Sequence, residues 1–383
     1  MPRQSVVDLP PSSIRMMFNE AAGMEDVLHL SIGQPDFATP QPVIEAMVEA
    51  LRQGKTKYAL DAGVLEFREQ ICAYYSREHA VELTPEEVLV TDGAVEAITL
   101  VLQAFISPGD EVILLEPAFV VYAPFIRMIG GVPIPVVTRV EDGYVPDPQE
   151  VENAITPRTR MLLVNSPCNP TGATFPVEVL KQLADVARRH NLLLGSDEVY
   201  EQLIYDHPGR YPSMLTLEPD RDRLFIFHSL SKTYAMTGIR VGWVVTGSSN
   251  WKILQKLHTF TTTVANTPGQ WAGIEALGGD QGFISSMVSE YKERRNLLGS
   301  LLQGMPHLSS YTPGGAFYLF PRFDLPMDAD TFCLRLLKEA KVCCIPGTGF
   351  GDSCRQAFRI SYAVGPDAIR EGIRRMRKWL TLF

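Results

Sequence analysis

The chain has 383 residues, 45% of them hydrophobic and 21% charged, the balance of a globular protein long enough for two domains of ordinary size. Its 35 basic and 44 acidic residues leave a net charge of -9. That excludes a general nucleic-acid or anionic-membrane binder, since both need a basic face.

Met1 to Pro11 lacks an apolar signal region, and no apolar run reaches membrane-spanning length. Cytoplasm is the expected compartment. The cysteines, Cys72, Cys168, Cys333, Cys343, Cys344 and Cys354, form no CxxC pair. Reduced, buried thiols are expected, and no metal site.

In chain order, an amphipathic helical segment is predicted over Ser13 to Ala22. A short strand broken by glycine and proline follows over Leu30 to Phe37. Helices come next, from Pro42 to Gln53 with proline in a first-turn position, and from Gly63 to Glu78. In the second, Leu65, Phe67, Ile71 and Tyr74 form a helical stripe, and Tyr74 and Tyr75 are assigned to core. From Val88 the rhythm becomes strand, turn, helix. Val88–Thr91, Val112–Leu115 and Met161–Val164 read as strands, followed by helices Ala94–Phe105, Phe119–Ile129 and Pro176–His190. Leu192–Leu194, Leu224–Phe227 and Val241–Val245 are further apolar runs. The alternation predicts an α/β fold with a mostly parallel sheet covered on both faces. Residues 132–156, rich in prolines and acids, are expected to be a surface excursion. After Gly278 come helices Phe283–Gln303, Asp328–Ala340 and Ala368–Phe383, with short strands Gly315–Phe320 and Phe358–Tyr362. This reads as a smaller α+β domain.

Open parallel sheets bind ligands outside the carboxyl ends of their strands, so the residues after each strand carry the chemistry. Asp92-Gly93-Ala94-Val95-Glu96 opens a helix and forms an anion seat, although such residues also serve as caps. Asn169 lies in Asn165-Ser166-Pro167-Cys168-Asn169-Pro170-Thr171-Gly172, a loop that is also plain turn chemistry. Asp197 ends the Leu192–Leu194 run. A buried carboxylate is costly unless paired, and a helix cap is its other reading. Ser229, Ser231, Lys232 and Arg240 follow the next strand. Hydroxyls and a guanidinium suit a phosphate, and a lysine among apolar and cationic neighbours can lose its proton and attack a carbonyl. Together these strand ends suit a phosphate-bearing, ring-protonated aldehyde, which points to pyridoxal phosphate. No Walker sequence, GxSxG elbow or HExxH competes, and Gly347 to Gly351 reads as a loop.

From Ser31-Ile32-Gly33-Gln34-Pro35-Asp36-Phe37 to Phe358-Arg359-Ile360-Ser361-Tyr362, the chain resembles the class I/II aminotransferases, the aspartate-aminotransferase-like branch of fold-type I pyridoxal-phosphate enzymes. Asn169-Pro170-Thr171-Gly172, Asp197-Glu198-Val199-Tyr200 and Ser229-x-Ser-Lys232 with Arg240 carry the likeness. The resemblance implies a seven-stranded large domain over 41–278. A small domain would combine residues 1–40, with the N-terminal arm, and 279–383. Lys232 would hold the cofactor as a Schiff base and move protons. Asp197 would face the ring nitrogen, Tyr200 and Asn169 the ring O3′, and Phe119 the ring face. The amides of Ala94 and Val95, with Ser229, Ser231 and Arg240, would bind the phosphate. Tyr58 would reach a phosphate across the interface of a homodimer with shared active sites. Arg359 would clamp the substrate α-carboxylate, helped by Asn169 and the Gly33 backbone; as a residue of an alternating strand it also has a solvent-facing reading. His29 and His228 are taken as structural.

One departure bears on substrate. Where aspartate-specific relatives read Gly-Gly-Lys-Gln-Ala, this chain reads Gly93-Ala94-Val95-Glu96-Ala97, so a neutral amino donor, aliphatic or aromatic, is expected. The reaction implied is ping-pong transfer of its amino group to a 2-oxo acid, 2-oxoglutarate or pyruvate. A carbon–sulfur or carbon–carbon lyase on the same fold is the alternative. A non-catalytic ligand sensor is a more remote reading, since the chain lacks a fused basic DNA-binding segment.

Overall fold

The computed structural model describes residues 2–9 and 11–383. Seven strands form its central sheet: β1 (Val88–Thr91), β2 (Glu111–Glu116), β3 (Val132–Val137), β4 (Thr159–Asn165), β5 (Leu193–Asp197), β6 (Leu224–Ser229) and β7 (Gly242–Val245). Their order across the sheet is β1-β7-β6-β5-β4-β2-β3, and β7 alone runs antiparallel to its neighbours. Strands β1, β2, β5, β6 and β7 are buried along their whole length. Their near-continuous apolar runs reflect helices on both faces, with each fully buried Val, Leu or Ile worth roughly 1.5–3 kcal/mol.

Four helices bear on the packing and on the strand ends: α1 (Ser13–Ala21), α2 (Leu65–His79), α3 (Ala94–Phe105) and α4 (Gly282–Leu302). The two-residue period of the strands sorts their side chains between two cores. Val88 and Val90 join Phe67, Ile71, Tyr74 and Tyr75 of α2 on one face; Leu89 joins Ala97, Ile98 and Val101 of α3 on the other. Tyr74 and Tyr75 are core residues, at 2% and 0% exposure. The last third of the chain is mainly helical, and its short strands also take in the chain's beginning. Leu28–His29 pairs in parallel with Val342–Cys343, while Phe358–Ser361 lies between Tyr318–Leu319 and Ile345–Pro346.

The observed architecture is the expected α/β fold with a mostly parallel sheet, but three local expectations are corrected. Residues 132–156 are not merely a surface excursion, because Val132–Val137 is the edge strand β3. Pro133 and Pro135 fit there because the neighbouring register belongs to the even residues. The amides of Val132 and Thr138 donate to the carbonyls of Asp110 and Glu116, and the proline nitrogens face the open edge, where no donor is needed. Second, the strand expected over Leu30 to Phe37 lies earlier, at Leu28–His29, and residues 30–37 are irregular. Third, helices Ser248–Thr261 and Thr267–Gly278 fill a stretch to which no element was assigned. No helix among the described residues is long and apolar enough to cross a membrane.

Phe67 tests the packing of α2 on the sheet. It is fully buried, edge-on to Trp243 with ring centroids 6.2 Å apart. It also lies so close to Gly273 that a Cβ there would sit 2.5 Å from its ring. Phe67→Ala should lower stability by roughly 3–5 kcal/mol, read as a drop in the urea midpoint at unchanged slope.

Candidate active site

A cavity of about 520 Å³ lies at the carboxyl ends of β1, β4, β5 and β6. Gly242, the first residue of β7, pairs with both Thr91 and Ser229. A Cβ at Gly242 would stand 2.7 Å from the Ala94 nitrogen and 2.7 Å from the His228 carbonyl oxygen. Only glycine lets these strand ends converge on the start of α3. No side chain among the described residues caps that helix, so the amides of Ala94 and Val95 and the positive end of the helix dipole are left for a ligand. The Ser229 and Ser231 hydroxyls lie beside them, 2.8 Å apart. Arg240 donates to the carbonyls of Asp92 and Thr237, both at 3.0 Å. Gly93 leaves it room, since a Cβ there would clash with its Nη2. Amides, hydroxyls and a guanidinium converge as a phosphate requires.

Lys232 sits on the helical turn that follows β6, and its Nζ donates to the Gly33 carbonyl at 2.7 Å. Burial, with Arg359 and Arg240 adding repulsion, pushes its ammonium down to about 8. The free amine is thus accessible near neutrality. Asp197 closes β5. Its Oδ2 accepts from the Tyr122 hydroxyl at 2.5 Å and its Oδ1 from the Val199 amide at 3.3 Å. Burial pushes this carboxyl above its usual range. Burying a carboxylate costs several kcal/mol, and hydrogen bonds to it return about 1.5–3 kcal/mol each. A cation facing it, such as a protonated ring nitrogen, would meet the remaining deficit.

Asn165 links the two central strand ends. Its Nδ2 donates to the Asp197 carbonyl at 3.0 Å and its Oδ1 accepts from the Asn169 amide at 2.9 Å. Asn169 Oδ1 in turn accepts from Arg359 Nη1 at 3.0 Å, while Arg359 Nη2 donates to the Ser31 carbonyl at 2.8 Å. Arg359 is 1% exposed, which removes its solvent-facing reading. Its guanidinium lies 4.5 Å from the Tyr318 ring centroid, and its buried Nε has no partner among the described residues. An unpartnered donor on a buried guanidinium fits a carboxylate ligand. Tyr200 and Tyr318 share a hydroxyl contact of 3.0 Å.

Gly33, Ala94, Val95, Phe119, Asn169 and Asp197 all line the cavity, as do Tyr200, Ser229, Ser231, Lys232, Arg240 and Arg359. Tyr58 does not; it is 85% exposed on the surface. The sequence reading missed Tyr122, one helical turn beyond Phe119, and the apolar wall of Ile14, Phe18 and Ile32. The amphipathic pattern of α1 was the only available signal for that wall. His29 lies outside the cavity lining, its ring stacked 6.3 Å from that of Phe18. His228 is buried behind the site. Its Nδ1 accepts from the Ser229 amide at 2.8 Å, so its Nε2 donates to Glu201, 3.0 Å away. Glu201 also meets His79 and Tyr74. Burial works to raise its carboxyl, but the two histidines hold it below the usual range.

Taken together, the uncapped helix start, the glycine-lined cup, the buried carboxylate and the lysine fit pyridoxal phosphate. Because only the unprotonated amine attacks, capture of pyridoxal phosphate by the apoprotein should accelerate with pH and level off above about 8. Stopped-flow absorbance reads this, and Arg359→Gln should move the midpoint upward. Gly242→Ala should weaken pyridoxal phosphate binding by at least about tenfold in equilibrium dialysis, since its methyl pushes against the Ala94 amide.

The sequence model of the family "Aminotransferase class I and II" matches residues 25–376. Aspartate aminotransferase of Pyrococcus horikoshii is 39% identical over 380 residues, covering 98% of this chain and 96% of that protein. Aromatic-amino-acid aminotransferase 2 of Thermococcus litoralis is 36% identical, covering 97% and 96%. The solved structure of Thermus thermophilus aspartate aminotransferase with maleate superposes with a TM-score of 0.93 at 38% identity, over 99% of each chain. Transamination, and not the lyase alternative, is what these likenesses support. The chain belongs to the class I and II aminotransferases, enzymes that use pyridoxal 5′-phosphate to exchange amino groups between amino acids and 2-oxo acids.

Proposed function

We propose that this aminotransferase takes its amino group from neutral amino acids, aromatic or aliphatic. One observation carries the reading: the cations lining the cavity among the described residues are Lys232, Arg240 and Arg359, and each already has a task. Val95 occupies the position at which the Gly-Gly-Lys-Gln-Ala pattern has a lysine, and Ile14, Phe18 and Ile32 make the neighbouring wall apolar. A second carboxylate would be desolvated there without a partner. Relatives named for aspartate and for aromatic amino acids both lie at similar identity, so the reading is supported by the cavity lining and not by those names.

When bound, pyridoxal phosphate supplies the electron sink that makes the substrate Cα acidic. The residues divide the remaining work. Lys232 Nζ, as the free amine, removes the Cα proton. Asp197 would hold a proton on the ring nitrogen, Phe119 would cover the ring face, and Tyr200 and Asn169 would hydrogen-bond the ring oxygen. Ala94, Val95, Ser229, Ser231 and Arg240 would bind the phosphate. Arg359 orients the α-carboxylate, with Asn169 and the Gly33 backbone beside it.

The same reading includes a homodimer. Tyr58, Leu60 and Phe260 are 85%, 60% and 81% exposed, large apolar side chains left to solvent on a single chain. A second copy would cover it and place Tyr58 against the phosphate of the partner's site. Residues 1–40 and 279–383 are read as one small domain beside 41–278, supported by the pairing of Leu28–His29 with Val342–Cys343. Six free thiols fit a reducing cytoplasm.

A panel of amino acids tests the donor class. Phenylalanine or leucine should exceed aspartate in kcat/KM by about tenfold or more, the scale of one unpaired buried charge; the reverse order rejects it. Val95→Lys should shift the ratio toward aspartate. Lys232→Ala should abolish turnover, and retention of the wild-type rate would sink the assignment of the base.

A further inference from the structure

Residues 30–37 have no regular secondary structure, yet they touch both reactive cations. The Ser31 carbonyl accepts from Arg359 Nη2 and the Gly33 carbonyl from Lys232 Nζ. Contact is tight, since a Cβ on Gly33 would lie 3.3 Å from the Tyr318 hydroxyl and 3.6 Å from Arg359 Nη2. Where this segment sits therefore sets where Arg359 points.

Its two ends are held differently. Upstream, the backbone does it: the Leu30 amide donates to the Cys343 carbonyl at 2.9 Å, and the Ser361 amide to the Leu30 carbonyl at 2.7 Å. Downstream, side chains do it. Arg294 of α4 donates through Nη1 to both oxygens of Asp36, at 2.9 and 2.8 Å, and the Tyr291 hydroxyl adds a bond at 3.3 Å. Arg294 is only 8% exposed. Its Nε is fixed by Glu290 at 2.8 Å, and its guanidinium lies 5.4 Å from the rings of both Phe37 and Tyr291. An exposed ion pair contributes little, but an arginine buried between two carboxylates and two rings has one orientation to offer.

We propose that Asp36 and Arg294 are positioning residues for the substrate carboxylate. Their ion pair anchors the 30–37 segment to α4 and so holds the Ser31 carbonyl where it orients Arg359. Neither residue lines the cavity, so both act through the segment. The inference rests on the assignment of Arg359 to the α-carboxylate.

The test uses the holoenzyme and an unreactive carboxylate, 3-phenylpropanoate, titrated by calorimetry, with steady-state kinetics alongside. Arg294→Met and Asp36→Asn should each raise the 3-phenylpropanoate Kd and the donor KM by about tenfold, while kcat changes less than threefold. Pyridoxal phosphate affinity should stay within twofold of wild type. The double exchange Asp36→Arg with Arg294→Asp should recover part of the loss. An unchanged Kd in Asp36→Asn overturns the proposal, as does a loss of cofactor affinity as large as the loss of carboxylate affinity. Asp36→Asn keeps the test decisive if Arg294→Met does not fold. Arg359→Lys is the control: if it too leaves the Kd unchanged, the carboxylate assignment itself fails.

Discussion

Lys232, Arg240 and Arg359 face one cavity whose lining, among the described residues, holds a single carboxylate, Asp197. The protein does not neutralise the three cations. It gives them uncharged oxygens instead: the Gly33 carbonyl for Lys232, the Asp92 and Thr237 carbonyls for Arg240, the Ser31 carbonyl and Asn169 Oδ1 for Arg359. Such bonds fix direction while leaving the charge for whatever enters. A phosphate and a carboxylate are anions that would complete the balance, and burial, reinforced by the same excess of positive charge, keeps Lys232 easily deprotonated. Groups fixed before the ligand arrives need no reorganisation when it does.

The convergence of these groups depends on the sheet more than on the loops. β7 runs against its neighbours, so its first residue, not its last, lies at the edge where β1 and β6 end. That places Gly242 between Ala94 and His228 and lets one short segment close the cup at the start of α3. The apolar runs of β1, β5 and β6 hold these ends in place by burial on both faces.

Much of this was legible in the sequence. Unbroken Val-Leu-Ile runs announce buried parallel strands, and a polar residue directly after each run announces a site. What stayed illegible depended on distant partners. Val132 to Val137 carries two prolines, a local argument against a strand, and becomes one only because the edge of the sheet asks nothing of their nitrogens. Leu30 to Phe37 looks like a strand by composition, but beyond Leu30 the Ser31 and Gly33 carbonyls are taken by Arg359 and Lys232 rather than by a neighbouring strand. Tyr122 lies in no motif; its meaning arises only when Asp197, 75 positions later, is brought to its hydroxyl. Tyr58 shows no role on a single chain, and only the family likeness gave it one.

The buried network around Glu201 carries a consequence for how this enzyme can diverge. Strand and turn geometry give each cofactor-side residue a neighbour that faces inward: His228 before Ser229, Glu201 after Tyr200, Glu198 after Asp197. Those neighbours are bonded to one another or to the core, as His228 is to Glu201 and Glu198 is to Ser196 and Met214. A change at a strand end therefore disturbs chemistry and folding together. Ile14 and Phe18, on a helix contributing to one wall, pack by apolar contact and take no part in that hydrogen-bonded network. Drift in substrate choice has its open ground there, while the cup and the lysine stay as they are.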